Sequence, residues 1–117
     1  MDSSAALTAF AALSQPLRLR AFRLLIKAGP KGMSAGDIAQ ALEAKPNTSS
    51  QNLAHLVHAG LITSQREGRS IIYSAKMEGV NALLRFMLQD CCGGDDASCN
   101  AAIDALTPCC DPSRIDL

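Results

Sequence analysis

The stretch that decides the fold is residues 33–75, MSAGDIAQALEAKPNTSSQNLAHLVHAGLITSQREGRSIIYSA. Its centre, Pro46 to Ala59, has the spacing of a helix with two unlike sides. Leu53, Leu56 and Val57 are spaced to face a core, whereas Thr48, Ser49, Ser50, Gln51, Asn52 and His55 carry short, uncharged hydrogen-bonding groups. A solvated helix face is normally filled with Lys and Glu. Hydroxyls and amides are instead the groups that meet base edges in a DNA major groove, so this segment is expected to be a recognition helix.

The flanks fit that expectation. Ser34-Ala35-Gly36-Asp37 has the [ST]-x-x-[DE] pattern of a helix N-terminus, with Asp37 facing the positive end of the dipole, and Ile38, Ala39 and Leu42 then point inward. Glu43-Ala44-Lys45 is a short turn, and Pro46 opens the next helix. Two short helices so joined make a helix-turn-helix, although the turn lacks the common glycine. Behind it, Leu61–Gln65 and Ser70–Ser74 are β-prone and flank Arg66-Glu67-Gly68-Arg69, where Gly68 supplies the positive φ of a tight hairpin. A basic-tipped hairpin in this place is the wing of a winged helix. Arg66 and Arg69 are expected to reach phosphate or the minor groove.

Working outward, residues 3–13 predict a short helix with Leu7, Phe10 and Ala11 on one side and Ser3 or Ser4 as its cap. Pro16 fits the first turn of a second helix that runs to Ala28. On it Leu17, Ala21, Leu24 and Leu25 form one face, and Arg20, Arg23 and Lys27 form another, read as solvated. Residues 77–90 return to helix, with Val80, Leu83, Leu84, Met87 and Leu88 in one apolar stripe. That stripe and the first helix are candidates for a dimer surface. The predicted fold is therefore mainly α with a small β-hairpin, a homodimeric winged helix-turn-helix. Residues 1–90 form its DNA-binding and dimerisation domain, and residues 91–117 form a cysteine-containing tail expected to be flexible without a metal ion.

Composition narrows the partners. The chain of 117 residues has zero net charge, which argues against a general polyanion binder, but the charge is segregated. Residues 45–76 hold four Lys/Arg against one acidic residue, while residues 86–117 hold Arg114 alone against six Asp. A basic middle suits local phosphate contact. No apolar run approaches the roughly 18 residues that span a bilayer, and the N-terminus does not resemble a secretory signal. No membrane partner and a cytoplasmic location are expected. The five cysteines all follow residue 90; an odd count cannot pair completely, and clustered cytosolic thiols favour a soft metal or a redox-sensing role.

With its elements in this order, the chain resembles the ArsR/SmtB family of winged-helix metalloregulatory repressors. The resemblance rests on SQPLRLRAFRLL at 14–25, SAGDIAQAL at 34–42, TSSQNLAHLVHAGLI at 48–62 and REGRSIIY at 66–73, and covers roughly residues 5–90. It implies a homodimer that binds operator double-stranded DNA and releases it when a metal or metalloid ion binds. It also places Ser49, Ser50, Gln51 and Asn52 where the family meets bases, and Arg66 and Arg69 where its wing meets the backbone. Gln51-Asn52 replaces the Arg-His or His-His often found there, so no operator sequence is implied.

Two of the family's effector sites are missing: the first helix of the helix-turn-helix contains no thiol, and residues 77–90 contain no His. What remains is Cys91-Cys92-x6-Cys99, with Gly93-Gly94 between. Three thiolates suit a trigonal As(III) or Sb(III) centre, whereas structural zinc wants a fourth ligand, and arsenite-responsive members of the family carry a similar arrangement. Cys91, Cys92 and Cys99 are the expected ligands of an As(III) effector, with no catalytic cofactor. Cys109 and Cys110 are spare thiols, a competing site, or ligands for a methylated arsenical. A thiol-redox or persulfide-sensing repressor of the same fold stays open as the alternative. An enzyme is not expected: there is no Cys-x5-Arg loop, no Cys-x-x-Cys, and no His among the thiols.

Overall fold

Caps and breaks set the element boundaries along residues 1–88, which are the residues described in the computed structural model. The order is α1 (Ser3–Leu13), α2 (Pro16–Ala28), β1 (Met33–Ser34), α3 (Ala35–Leu42), α4 (Pro46–His58), β2 (Ile62–Glu67), β3 (Ser70–Ala75) and α5 (Met77–Leu88). Asp2, not Ser3 or Ser4, caps α1: its Oδ1 accepts from the Ala5 N–H at 2.8 Å. Gln15 Oε1 accepts from the Leu17 and Arg18 N–H groups at the start of α2, where Pro16 has no N–H to satisfy. Gly29, at φ 78°, ends that helix and opens a turn closed by the Gly32 N–H on the Gly29 carbonyl at 3.1 Å.

The sheet is antiparallel with strand order β1-β3-β2. The sequence gives the β2–β3 hairpin but not β1, which is two residues long and pairs Met33 with Tyr73 and Ser34 with Ile72. Its pairing joins the N-terminus of α3 to the wing. Leu25, Ile38, Leu53, Leu56, Leu61 and Ile62 are fully buried between the helices and the sheet, each contributing about 1.5–3 kcal/mol by leaving water.

Two helices meet this core differently from expectation. In α1 the buried stripe is Ala6, Ala9 and Ala12, while Leu7 is 67% exposed and Phe10 40% exposed. Alanine lets helices approach closely, so the small residues take the inside and the large ones are left outside. In α5 only Leu83 of the predicted stripe is buried, and Met87 is 47% exposed. α5 leaves the wing against the end of α4. The Lys76 N–H donates to the Leu61 carbonyl at 2.9 Å, and a side chain at Gly79 would run into the Gly60 carbonyl oxygen. Among the described residues no helix is long and apolar enough to cross a membrane.

Candidate nucleic-acid interface

The helix-turn-helix is α3, a three-residue turn and α4. Ser34 Oγ accepts from the Asp37 N–H at 3.1 Å, as the [ST]-x-x-[DE] pattern predicts. With no glycine in the turn, Glu43 takes the left-handed conformation itself, at φ 53°, a strain of about 1 kcal/mol. Its N–H and that of Ala44 close onto the Ala39 and Gln40 carbonyls, which offsets that strain. Lys45 is held extended because a residue before proline is pushed out of the helical region, and Pro46 then starts α4 cleanly.

Around α4 the buried residues are Ser49, Leu53 and Leu56, spaced four and three apart. At about 100° per residue these three share one line, and Val57 falls to its flank. Val57 is accordingly 37% exposed rather than in the core. The line also corrects the expectation for Ser49. Its side chain is 1% exposed, and its Oγ has no hydrogen-bond partner, so in this arrangement it cannot meet a base. Thr48, Ser50, Gln51 and His55 are exposed as predicted, and so are Asn47 and His58. Asn52 lies between the two faces, half-buried. Its Nδ2 donates to the Thr48 carbonyl at 2.9 Å and its Oδ1 accepts from Arg18 Nη1 at 3.4 Å. Both ends of the amide are occupied within the protein.

The wing is a two-residue hairpin. Glu67 pairs with Ser70, leaving Gly68 and Arg69 as the loop, with Gly68 at φ 61°. Glycine with positive φ at the first loop position is the pattern of a type II′ turn, whose twist matches that of the strands. Arg66 is thus a strand residue opposite Ile71, not part of the loop, and Arg69 sits at the tip; both are exposed. β2 also lies against α4, so the hairpin and α4 belong to one unit.

Sequence reasoning missed Arg18 and the inward turn of Ser49. The signal for Ser49 was available in its register with Leu53 and Leu56, but a serine is not sought at a core position. An unsatisfied buried hydroxyl costs roughly 1–3 kcal/mol, and alanine is the better helix former. Ser49→Ala is therefore expected to raise the thermal midpoint by a few degrees and to leave DNA affinity unchanged. Weaker DNA binding with no thermal gain would restore Ser49 to the reading face.

Among the described residues no three His, Cys, Asp or Glu side chains are grouped to hold a metal. Cys91, Cys92 and Cys99, along with Cys109 and Cys110, lie outside the described residues.

A family model described as a helix-turn-helix domain matches residues 13–65. The HTH-type transcriptional regulator YgaV of Escherichia coli (strain K12) is 40% identical over 73 residues, covering 62% of this chain and 72% of that protein. Among solved structures, an ArsR-like transcriptional regulator from Rhodococcus sp. RHA1 superimposes with a TM-score of 0.65 at 27% identity, covering 88% of this chain and 92% of that one. A possible transcriptional regulator for arsenical resistance does so with a TM-score of 0.59 at 29% identity, over 68% of this chain and 79% of that one.

Proposed function

Since the chain belongs to the ArsR type of helix-turn-helix transcriptional regulators, we propose that it is a dimeric repressor that leaves its operator when As(III) binds its C-terminal thiols. The observation that carries the DNA-binding half is the exposed face of α4. Thr48, Ser50, Gln51 and His55 put hydroxyl, amide and imidazole groups outward on a rigid helix, and Arg66 and Arg69 stand on the adjoining wing. The first set suits base edges and the second suits phosphate. Dimerisation through α1 and α5 is supported by the large apolar residues that both leave exposed, and it would set two reading helices on a two-fold site. Such a protein works in the cytoplasm.

The effector half rests on the chemistry of the donors. Residues 1–88 contain no thiol, so every thiolate that could hold a soft ion belongs to the later cysteines. Cys91, Cys92 and Cys99 supply the three sulfurs that As(III) prefers, or that Sb(III) would accept. The solved relative named for arsenical resistance fits the same effector class. Linkage then requires reciprocity: operator DNA must weaken effector binding by the factor with which the effector weakens DNA binding.

The test is a mobility-shift titration with the chain's own upstream DNA. Wild type is expected to hold the fragment without arsenite and to release it on addition. The triple variant Cys91→Ser, Cys92→Ser, Cys99→Ser is expected to stay bound at the same concentration. Release of the triple variant alongside wild type would remove these cysteines from the mechanism. Release by peroxide or polysulfide in metal-free buffer, with arsenite inert, would replace the arsenite switch with thiol oxidation or persulfidation.

A further inference from the structure

Arg18 joins the helix with the exposed apolar face to the helix that faces DNA. From the first turn of α2 its Nε donates to the Ala12 carbonyl at 2.7 Å and its Nη2 to the Ala11 carbonyl at 3.5 Å, in the last turn of α1. Its Nη1 donates to Asn52 Oδ1 on α4 at 3.4 Å. The Ala11 carbonyl already accepts from the Ser14 N–H at 3.3 Å and Oγ at 2.7 Å, so the short Arg18 bond serves the Ala12 carbonyl, at the helix end that carries the negative pole of the dipole and favours a cation. Asn52 is held in turn by its bond to the Thr48 carbonyl. A planar guanidinium with five donors can serve acceptors on two helices at once; an ammonium on a flexible stem cannot hold that fork.

We propose that Arg18 is a positioning residue for operator binding, locking α4 to the C-terminal end of α1, with Asn52 as its acceptor and not as a reader of bases. This rests on the DNA-binding role proposed above. The α1 contact between subunits then fixes how the two α4 helices are presented, and Arg18 carries that orientation across without touching DNA. A guanidinium in a DNA-binding protein invites a second role, contact with phosphate. Asn52 invites one as well, a bidentate contact to adenine. Each alternative has its own signature.

The experiment uses the full chain and its upstream DNA, comparing Arg18→Lys, Arg18→Ala, Asn52→Ala and the double variant Arg18→Lys/Asn52→Ala. Thermal melts and sedimentation establish that each compared protein is folded and in the wild-type oligomeric state. Arg18→Lys keeps the charge, so it serves if Arg18→Ala does not fold. Each single change is expected to weaken operator binding by about tenfold, the scale of a lost charge-assisted hydrogen bond. The double variant should be no weaker than the weaker single one, because both changes break one link. Preference across single-base operator variants should stay as in wild type, and so should the slope of log affinity against log salt.

A salt slope reduced by about one unit in Arg18→Ala, with Arg18→Lys close to wild type, would make Arg18 a phosphate contact. Relaxed preference at one operator position in Asn52→Ala would make Asn52 a base reader, and additive single effects would separate the two residues. Any of these overturns the proposal. If wild type binds and Arg18→Lys binds equally well, the positioning role alone fails. If wild type does not hold the fragment, the DNA-binding role fails and this proposal falls with it.

Discussion

Gly32→Ala is expected to lower the unfolding free energy by about 3–4 kcal/mol, more than Gly29→Ala, three residues earlier, which should lower it by about 1–3 kcal/mol. Both glycines have positive φ, 69° at Gly32 and 78° at Gly29, and Gly29 combines it with ψ −161°, a region open essentially to glycine alone, so both substitutions strain the backbone. Around Gly29 nothing lies within 4 Å of an added Cβ. Its strain is partly offset because alanine also restricts the unfolded chain. At Gly32 the added carbon would overlap the Tyr73 carbonyl oxygen and stand 3.1 Å from Ile72 Cγ2. The carbonyl belongs to the middle strand of the sheet and cannot rotate away like the end of a long side chain. The cheapest response is for β1 to leave β3, which loses the Met33–Tyr73 and Ser34–Ile72 pairs and shifts the serine that caps α3.

The loss is a large part of the 5–15 kcal/mol that holds a typical domain together. Urea unfolding of the two variants measures it, and amide exchange at Asp37 reports whether the cap has gone. A loss at Gly32→Ala no larger than that at Gly29→Ala, with exchange at Asp37 unchanged, would mean that the sheet edge yields freely and that β1 does not anchor the helix-turn-helix.

The parts of the fold that are local in sequence were legible there. Ser34 and Asp37 marked the start of α3, Pro16 and Pro46 opened α2 and α4, and Gly68 marked the hairpin; all of these act within a few residues. β1 was not legible, since two residues carry no periodicity and exist as a strand only because Tyr73 and Ile72 are brought beside them. The exposed polar face of α4 was legible in type but not in full membership. Its polar character was evident, but polarity alone cannot tell an outward serine from one drawn inward by Leu53 and Leu56. Nor can it show that the Asn52 amide is occupied by an arginine from another helix. α1 defeated the usual rule from the other side: apart from Ser3, Ser4 and Thr8 it is apolar throughout, and these three do not say whether Leu7 or Ala6 faces the core.

That ambiguity sets up the largest expected effect. Leu7→Glu should convert a dimer to monomers and lower operator affinity by about 100-fold or more, with Phe10→Glu acting in the same direction. Leu7 is 67% exposed in the single chain and Phe10 40%, and α1 touches α5, where Met77 and Met87 are exposed as well. In an isolated subunit, glutamate at so exposed a position should change stability by no more than about 0.5 kcal/mol. In the proposed dimer the same carboxylate loses its water without gaining a partner, at several kcal/mol per charge. Two-fold symmetry places that charge in the interface twice. A monomer then grips one half-site only and forfeits the second set of α4 and wing contacts. Sedimentation equilibrium measures the first consequence and a mobility shift the second. Gln40→Glu on the exposed side of α3 is the control for added charge. If Leu7→Glu leaves mass, melting and operator affinity as they are in wild type and in that control, α1 is ordinary solvent surface, and the dimer must be built elsewhere.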